Sequence, residues 1–214
     1  MKIIDLTILY RNGMTGMSKW HPVVEMKRMG KLEEIGLNTS SILLGSHIGT
    51  HMDAASHFFE DGYSIEDTPL SACIGDVTIV DVRHRGRGEK LLVEDLETYN
   101  LKERVLLCFG WGQYWNTDRY LDAFPYLDLD AAKYMYEHGV KLVAMDIPSP
   151  DRPPKDETTK YEIHKYMLKR EVIFVESLIH TDQIDFSKEY SFVALPLRLE
   201  GTDASPCRVI LIEK

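Results

Sequence analysis

The chain has 214 residues, 44% of them hydrophobic and 28% charged, a length and balance suited to one large domain spanning residues 1–214 with a sizeable core. Its 25 basic and 34 acidic residues leave a net charge of −9, which argues against nucleic acid and anionic membranes as partners, because both attract positive charge. No run approaches the ~18 apolar residues of a membrane-spanning helix, and Cys73, Cys108 and Cys207 are widely spaced, fit no zinc-finger or thioredoxin pattern, and read as reduced thiols of a cytoplasmic protein.

Residues 3–9 form the first expected strand; Asp5 inside the apolar stretch speaks against a secretory signal. Further strands are expected over 23–27 and 40–45. Gly75-Asp76 punctuates the chain before a β-branched run over 77–82 that reads as a buried strand, followed by a charged, glycine-containing turn over 83–90. A short helix over 93–99 and a buried strand over 104–109 come next. The segment 128–138 fits a helix with an acidic first turn and Gly139 as its stop. A strand over 140–145, a proline-containing loop over 151–159, a helix over 160–169 and a strand over 172–175 follow. The chain closes with a strand over 191–199, a Gly201-Thr202-Asp203 turn and a strand over 208–213. The alternation predicts an α/β fold with a mixed sheet in a single domain.

The most informative stretch is 45–58, which places His47, His51, Asp53 and His57 within eleven positions. These are nitrogen and oxygen donors suited to Zn²⁺ or a similar divalent ion. The H-x-x-x-H spacing would also fit one helical turn, but Ile48, Gly49 and Thr50 disfavour a helix. In an extended chain His47, His51, Asp53 and His57 share a parity and therefore a face, so the expectation is a strand running into a glycine bend. Read from the residues alone, His164 is a surface helical residue and Glu176 a solvated charge. Trp20, Trp111 and Trp115 are either core or an aromatic wall for a planar substrate. Asp146 and Asp151 read as turn residues, Ser205-Pro206 as turn chemistry, and His21, His84, His138 and His180 as surface or locally bonded.

The run from His47 to His57 resembles the H-x-G-T-H-x-D-x-x-x-H signature of the metal-dependent cyclase family, which includes bacterial kynurenine formamidases and isatin hydrolases. Gly110-Trp111, Tyr114-Trp115 and Phe124-Pro125 resemble its central segment. Asp146-Ile147-Pro148-Ser149-Pro150-Asp151 and Gly201-Thr202-Asp203-Ala204-Ser205-Pro206-Cys207-Arg208 resemble its D-x-P-S-x-D and G-x-D-x-S-P-x-R segments, all in the family's order. The resemblance implies a swivelling β/β/α-type fold, a homodimer or homotetramer, and a small-molecule substrate. It implies one ion held by His47, His51 and Asp53, and a second held by Asp53, His164 and Glu176; some members use a single ion. Zn²⁺ is the leading choice, with Mn²⁺ as the alternative. His57 takes the position of a catalytic acid/base, and imidazole exchanges protons near neutral pH; the competing reading makes it a third ligand or a support.

Three positions depart from the family pattern. Ala55 stands where proline is frequent, Trp20-His21-Pro22-Val23 replaces a W-P-G-D-like segment, and Ser177 stands where asparagine is frequent. The second change bears on specificity. The expected activity is hydrolysis of a small amide, an aryl formamide of the N-formylkynurenine type, with Trp20 and Trp111 as substrate-binding candidates. The alternatives are hydrolysis of an isatin-like cyclic amide, a cyclase or dehydratase using the same ion, and a catalytically silent metal-binding protein.

Overall fold

The computed structural model describes residues 1–16, 21–153 and 160–214. In chain order, β1 (Ile3–Asp5) is followed by a hairpin of β2 (Glu25–Gly30) and β3 (Thr39–Leu43) with the one-turn helix α1 (Leu32–Ile35) at its tip. β4 (His51–Asp53) precedes α2 (Leu70–Cys73), β5 (Ile74–Asp76), β6 (Thr78–Asp81), β7 (Lys90–Leu91) and β8 (Arg104–Cys108). Then come α3 (Asp118–Leu121), β9 (Tyr126–Leu127), α4 (Leu129–Glu137), β10 (Leu142–Met145), α5 (Glu162–Leu168), β11 (Ile173–Glu176), β12 (Tyr190–Pro196) and β13 (Ala204–Glu213).

Nine strands form one mixed sheet in the order β5-β12-β13-β4-β11-β10-β8-β6, with β1 also on β13. The β6, β8, β10 and β11 neighbours run parallel, while β4 is antiparallel to both β11 and β13. Of the parallel strands, β8, β10 and β11 are buried on both faces, as their crossover connections require, while the edge strand β6 is partly exposed. Period-two alternation sorts the side chains of the three buried strands: Val105, Leu107, Val143, Met145 and Phe174 join one core with Ala131, Met135 and Met167, whereas Leu106, Cys108, Ala144, Ile173 and Val175 join the other with Ile4, Phe192 and Leu211. No helix among the described residues is long and apolar enough to cross a membrane.

The helix expected over 128–138 is α4; the Asp128 carboxylate caps it by accepting from Asp130 N at 3.0 Å, and Gly139 leaves it at φ +79°. Other expectations need correction. The helix expected over 93–99 is a single 3₁₀ turn, Val93–Asp95, whose Asp95 carboxylate accepts from Leu92 N at 2.8 Å. Ser205-Pro206 is not a turn but lies inside β13, where the Ser205 hydroxyl accepts from Leu197 N at 3.0 Å. Around the signature, the order of strand and bend is reversed. A turn holding Gly49 at φ +61° comes first and β4 follows. A Cβ on Gly49 would meet the Tyr10 ring at 3.0 Å, and that tyrosine donates its hydroxyl to Thr50 O at 2.6 Å. Residues 154–159 of the expected 151–159 loop lie outside the described residues.

Asp146 follows β10 and is fully buried, accepting from Phe109 N at 2.8 Å and from the Thr181 hydroxyl at 2.6 Å. Burial nevertheless pushes its pKa up to about 6 against those hydrogen bonds. The native state therefore binds the extra proton between the unfolded value of 3.8 and about 6, and stability contributed by this group is lost as pH rises through that window. Urea unfolding of wild type and Asp146→Asn should show the wild type losing on the order of 3 kcal/mol relative to the variant between pH 4 and pH 7. A difference that stays constant would contradict this account.

Candidate metal centre

β4 supplies the middle of the site because it is clamped on both edges. Across one edge His51 faces Glu176 of β11, and across the other Asp53 faces Ala204 of β13. Directly opposed residues in an antiparallel pair project on the same face, so the ladder itself sets His51 beside Glu176. Asp53, two residues along β4 from His51, shares that face and is 1% exposed. His47 arrives from the glycine turn, His57 ends the 3₁₀ turn Ala55–His57, and His164 comes from the buried side of α5. The common face of the signature thus rests on two residues of strand plus two turns, not on one extended run.

The side chains converge on the Asp53 carboxylate. His47 Nδ1 lies 2.9 Å and His51 Nε2 3.4 Å from Oδ1, while His164 Nε2 lies 3.3 Å from Oδ2. Glu176 closes the cluster, with Oε1 3.1 Å from His164 Nε2 and Oε2 3.5 Å from His51 Nε2. The ring of His57 stacks at a tilt on that of His47, with centroids 3.9 Å apart. Among the described residues, two donor groups are compact enough for an ion, His51, Asp53 and Glu176, and His47, Asp53 and His57, a division that differs from the expected sets of His47, His51 and Asp53 and of Asp53, His164 and Glu176.

The outer ring nitrogens are tied down. His51 Nδ1 donates to Gly49 O at 2.9 Å; a carbonyl only accepts, so the hydrogen sits there and Nε2 faces Asp53 and Glu176. His164 Nδ1 donates to Asp151 Oδ2 at 2.6 Å, and the same carboxylate accepts the amides of Ile163 and His164 at the start of α5. Asp203 Oδ2 lies 2.8 Å from His47 Nε2 and 3.3 Å from His57 Nδ1. Such outer partners fix the orientation and tautomer of metal-binding imidazoles.

The donors fit a divalent cation. Both oxygens of Asp53 are buried and, among the described residues, without a hydrogen-bond partner, because the nearby rings approach at distances but not angles that make hydrogen bonds. Burial favours protonation of Asp53, yet His47, His164 and His51 hold it well below the usual carboxylate range. Burial and the neighbouring Asp53 charge push Glu176 up to about 7. Two carboxylates packed this closely away from water demand compensating positive charge. His47 offers some: burial opposes its charging, but Asp53 and Asp203 outweigh it and raise its pKa to about 10. Burial pulls His51 down to about 4, the neutral form a metal ligand requires. Nitrogen and carboxylate donors of this kind suit Zn²⁺ and Mn²⁺ alike.

The six expected metal-binding and catalytic residues, His47, His51, Asp53, His57, His164 and Glu176, line one cavity of about 760 Å³. Trp111 does not: it is buried, donating its indole N–H to Tyr120 O at 2.9 Å, and Trp115 faces the cavity instead. Trp20 lies outside the described residues. Local pattern also misplaces three side chains. Asp151 reads as a turn residue but orients His164, Asp203 reads as a turn but bonds His47 and His57, and His21 lines the cavity with its ring stacked on His47 at 5.8 Å.

A mixed α/β sheet carrying a buried cluster of histidines and carboxylates at the base of a cavity defines a metal-dependent enzyme class. Residues 4–152 match the family described as "Putative cyclase", and the chain belongs to it. It is 30% identical to a kynurenine formamidase of Geobacillus thermodenitrificans over 185 residues, covering 86% of this chain and 84% of that one. A kynurenine formamidase of Bacillus cereus is 29% identical over 181 residues, covering 85% and 83%. Among solved structures, a potential metal-dependent hydrolase with cyclase activity is 28% identical with a TM-score of 0.80, covering 100% of this chain and 98% of that one. An isatin hydrolase A from Labrenzia aggregata shares the fold, with a TM-score of 0.86 at 19% identity and coverage of 98% and 93%.

Replacing Asp151 with asparagine should weaken divalent-metal affinity about 10–100-fold, because the amide no longer holds His164 through a charged acceptor. Competition against a chelator measures this; unchanged affinity would separate Asp151 from the metal centre.

Proposed function

We propose that the chain is a metal-dependent hydrolase of a small amide, with an aryl formamide of the N-formylkynurenine type as the leading substrate. The observation that carries this reading is the buried, unpartnered Asp53 carboxylate at the meeting point of three imidazoles and Glu176. The kinship with kynurenine formamidases supports the substrate type.

His47, His51 and Asp53 would hold one ion; Asp53, with two oxygens to share, would hold a second together with His164 and Glu176. Zn²⁺ is the first choice and Mn²⁺ the second. When bound, such an ion lowers the pKa of a coordinated water toward roughly 7 and polarises a carbonyl oxygen. The remaining work falls to the chain. Phe58, Trp115 and Tyr161 line the cavity as aromatic surfaces for a planar ring. His57 reaches the cavity with Nδ1 beside Asp203, which leaves Nε2 to carry a proton to the departing amine. The cavity would also admit a planar cyclic amide, which is the second reading.

We assign the protein to the cytoplasm, in keeping with its three free buried cysteines, and to a homodimer or homotetramer. The hairpin supports the oligomer: Met29, Leu32, Ile35, Leu37, Ile42 and Leu43 are all exposed along it, a concentration of apolar side chains that water alone covers poorly.

Metal content and hydrolysis of N-formylkynurenine and isatin test the reading together. His51→Ala should lose metal and activity, whereas His57→Ala should keep its metal and lose activity. Equal metal loss in both would make His57 a ligand. Wild-type protein that takes up neither Zn²⁺ nor Mn²⁺ would end the hydrolase reading.

A further inference from the structure

Tyr120 sits at the C-terminal half of α3 and is 3% exposed. Tyr120 lines the same cavity as the metal centre, together with Glu176 and Ser177. Its hydroxyl is buried and, among the described residues, has no hydrogen-bond partner; the Ser177 side chain is adjacent but out of hydrogen-bond geometry. A buried hydroxyl in that state costs about 1–3 kcal/mol relative to one that is bonded. Such a group calls for an explanation, and one that lines a cavity can be completed by a ligand.

The surroundings hold the phenol in place rather than leaving it to choose a partner. The Trp111 indole donates to Tyr120 O at 2.9 Å, and Tyr120 N donates to Thr117 O at 3.0 Å. Trp115 packs edge-on against the ring with centroids 5.0 Å apart. The turn carrying Trp111 is pressed onto the chain after β11: a Cβ on Gly112 would lie 2.5 Å from Leu178 O, two residues past Glu176. Backbone and ring are thus anchored to a turn that presses on the segment following β11. Among the described residues, the hydroxyl oxygen is left without a hydrogen-bond partner.

We propose that Tyr120 is a catalytic hydrogen-bond donor, its hydroxyl aimed at the carbonyl oxygen of the bound amide. This rests on the amide-hydrolase reading above. As water adds to the carbonyl carbon, negative charge gathers on that oxygen, and a fixed donor in a water-poor site stabilises it without reorganising. The phenol keeps its proton throughout; no bond of Tyr120 forms or breaks. Burial, reinforced by the Asp146 and Glu176 charges, lifts its pKa above the ordinary phenol value, so it is a donor at every working pH. The same group gives selectivity, because a substrate without an acceptor oxygen there leaves the hydroxyl unsatisfied.

Tyr120→Phe removes one oxygen and keeps the ring. On metal-loaded protein with N-formylkynurenine, kcat should fall about 100-fold. Metal content should match wild type, and the melting temperature should hold or rise, since an unsatisfied polar group has gone. A kcat within two-fold of wild type overturns the proposal. A loss of metal also overturns it, making the hydroxyl a support for Glu176, and a lower melting temperature makes it a structural group. If wild type cleaves no arylformamide, the functional reading fails first and calorimetry with phenylboronic acid decides on Tyr120. That probe becomes a tetrahedral anion on taking up hydroxide. Binding at least ten-fold weaker in the variant upholds the donor role; equal binding, or none in either protein, overturns it.

Discussion

The centre of this molecule is a buried carboxylate that no donor among the described residues hydrogen-bonds. Asp53 is sealed at the end of a three-residue strand, beneath three imidazoles and beside a second buried carboxylate. Left alone, such a group would be expelled to water or protonated. It stays because β11 and β13 pin β4 from both edges, and because His47 and His164 beside it favour their charged forms. A short strand held between two others is a stiff mount, and the rest of the fold can be read as the means of holding it. The parallel strands β8, β10 and β11 are buried on both faces, and β13 reaches across to tie β4, β12 and β1 together.

The outer contacts show how charge is distributed around that mount. Asp151 performs two tasks with one carboxylate, closing the first turn of α5 and fixing the His164 ring. Asp203 likewise serves two rings with one oxygen. Hydrogen bonds from His47 and His57 hold Asp203 well below the usual carboxylate range. The half-exposed edge of the cavity and its buried floor are thereby joined through a single side chain.

Much of this is legible before any coordinates. Buried parallel strands announce themselves as β-branched and aliphatic runs, and the capped helix α4 carries its own start and stop in Asp128 and Gly139. The H-x-x-x-H-x-D run shows its chemistry because its donors are close in sequence. The route by which they meet is harder: parity predicts a common face for an extended chain, but Gly49 turns the backbone, so His47 arrives by a different path. His164 and Glu176 look like surface residues locally, since nothing within α5 or β11 records that β4 lies alongside; only the family resemblance singles them out. Asp151, Asp203 and Tyr120 escape for a related reason. A carboxylate in a turn and a tyrosine in a short helix have the same local signature whether they face solvent or a reaction. Trp111 errs in the opposite sense, as an aromatic beside a glycine that belongs to the core.

The placement of β13 also carries a meaning in time. The donors His47, His51 and Asp53 emerge from the ribosome roughly 150 residues before Asp203 and the β13 segment that pairs with β4. At about 5–20 residues per second, that gap is on the order of ten seconds or more. For most of this interval Asp53 has neither of its flanking strands, since β11 is made only roughly 30 residues before β13, and a cation caught by the nascent histidines would be held loosely and exchanged freely. Any discrimination between ions would therefore fall to the finished sheet, after translation has delivered its last inner strand.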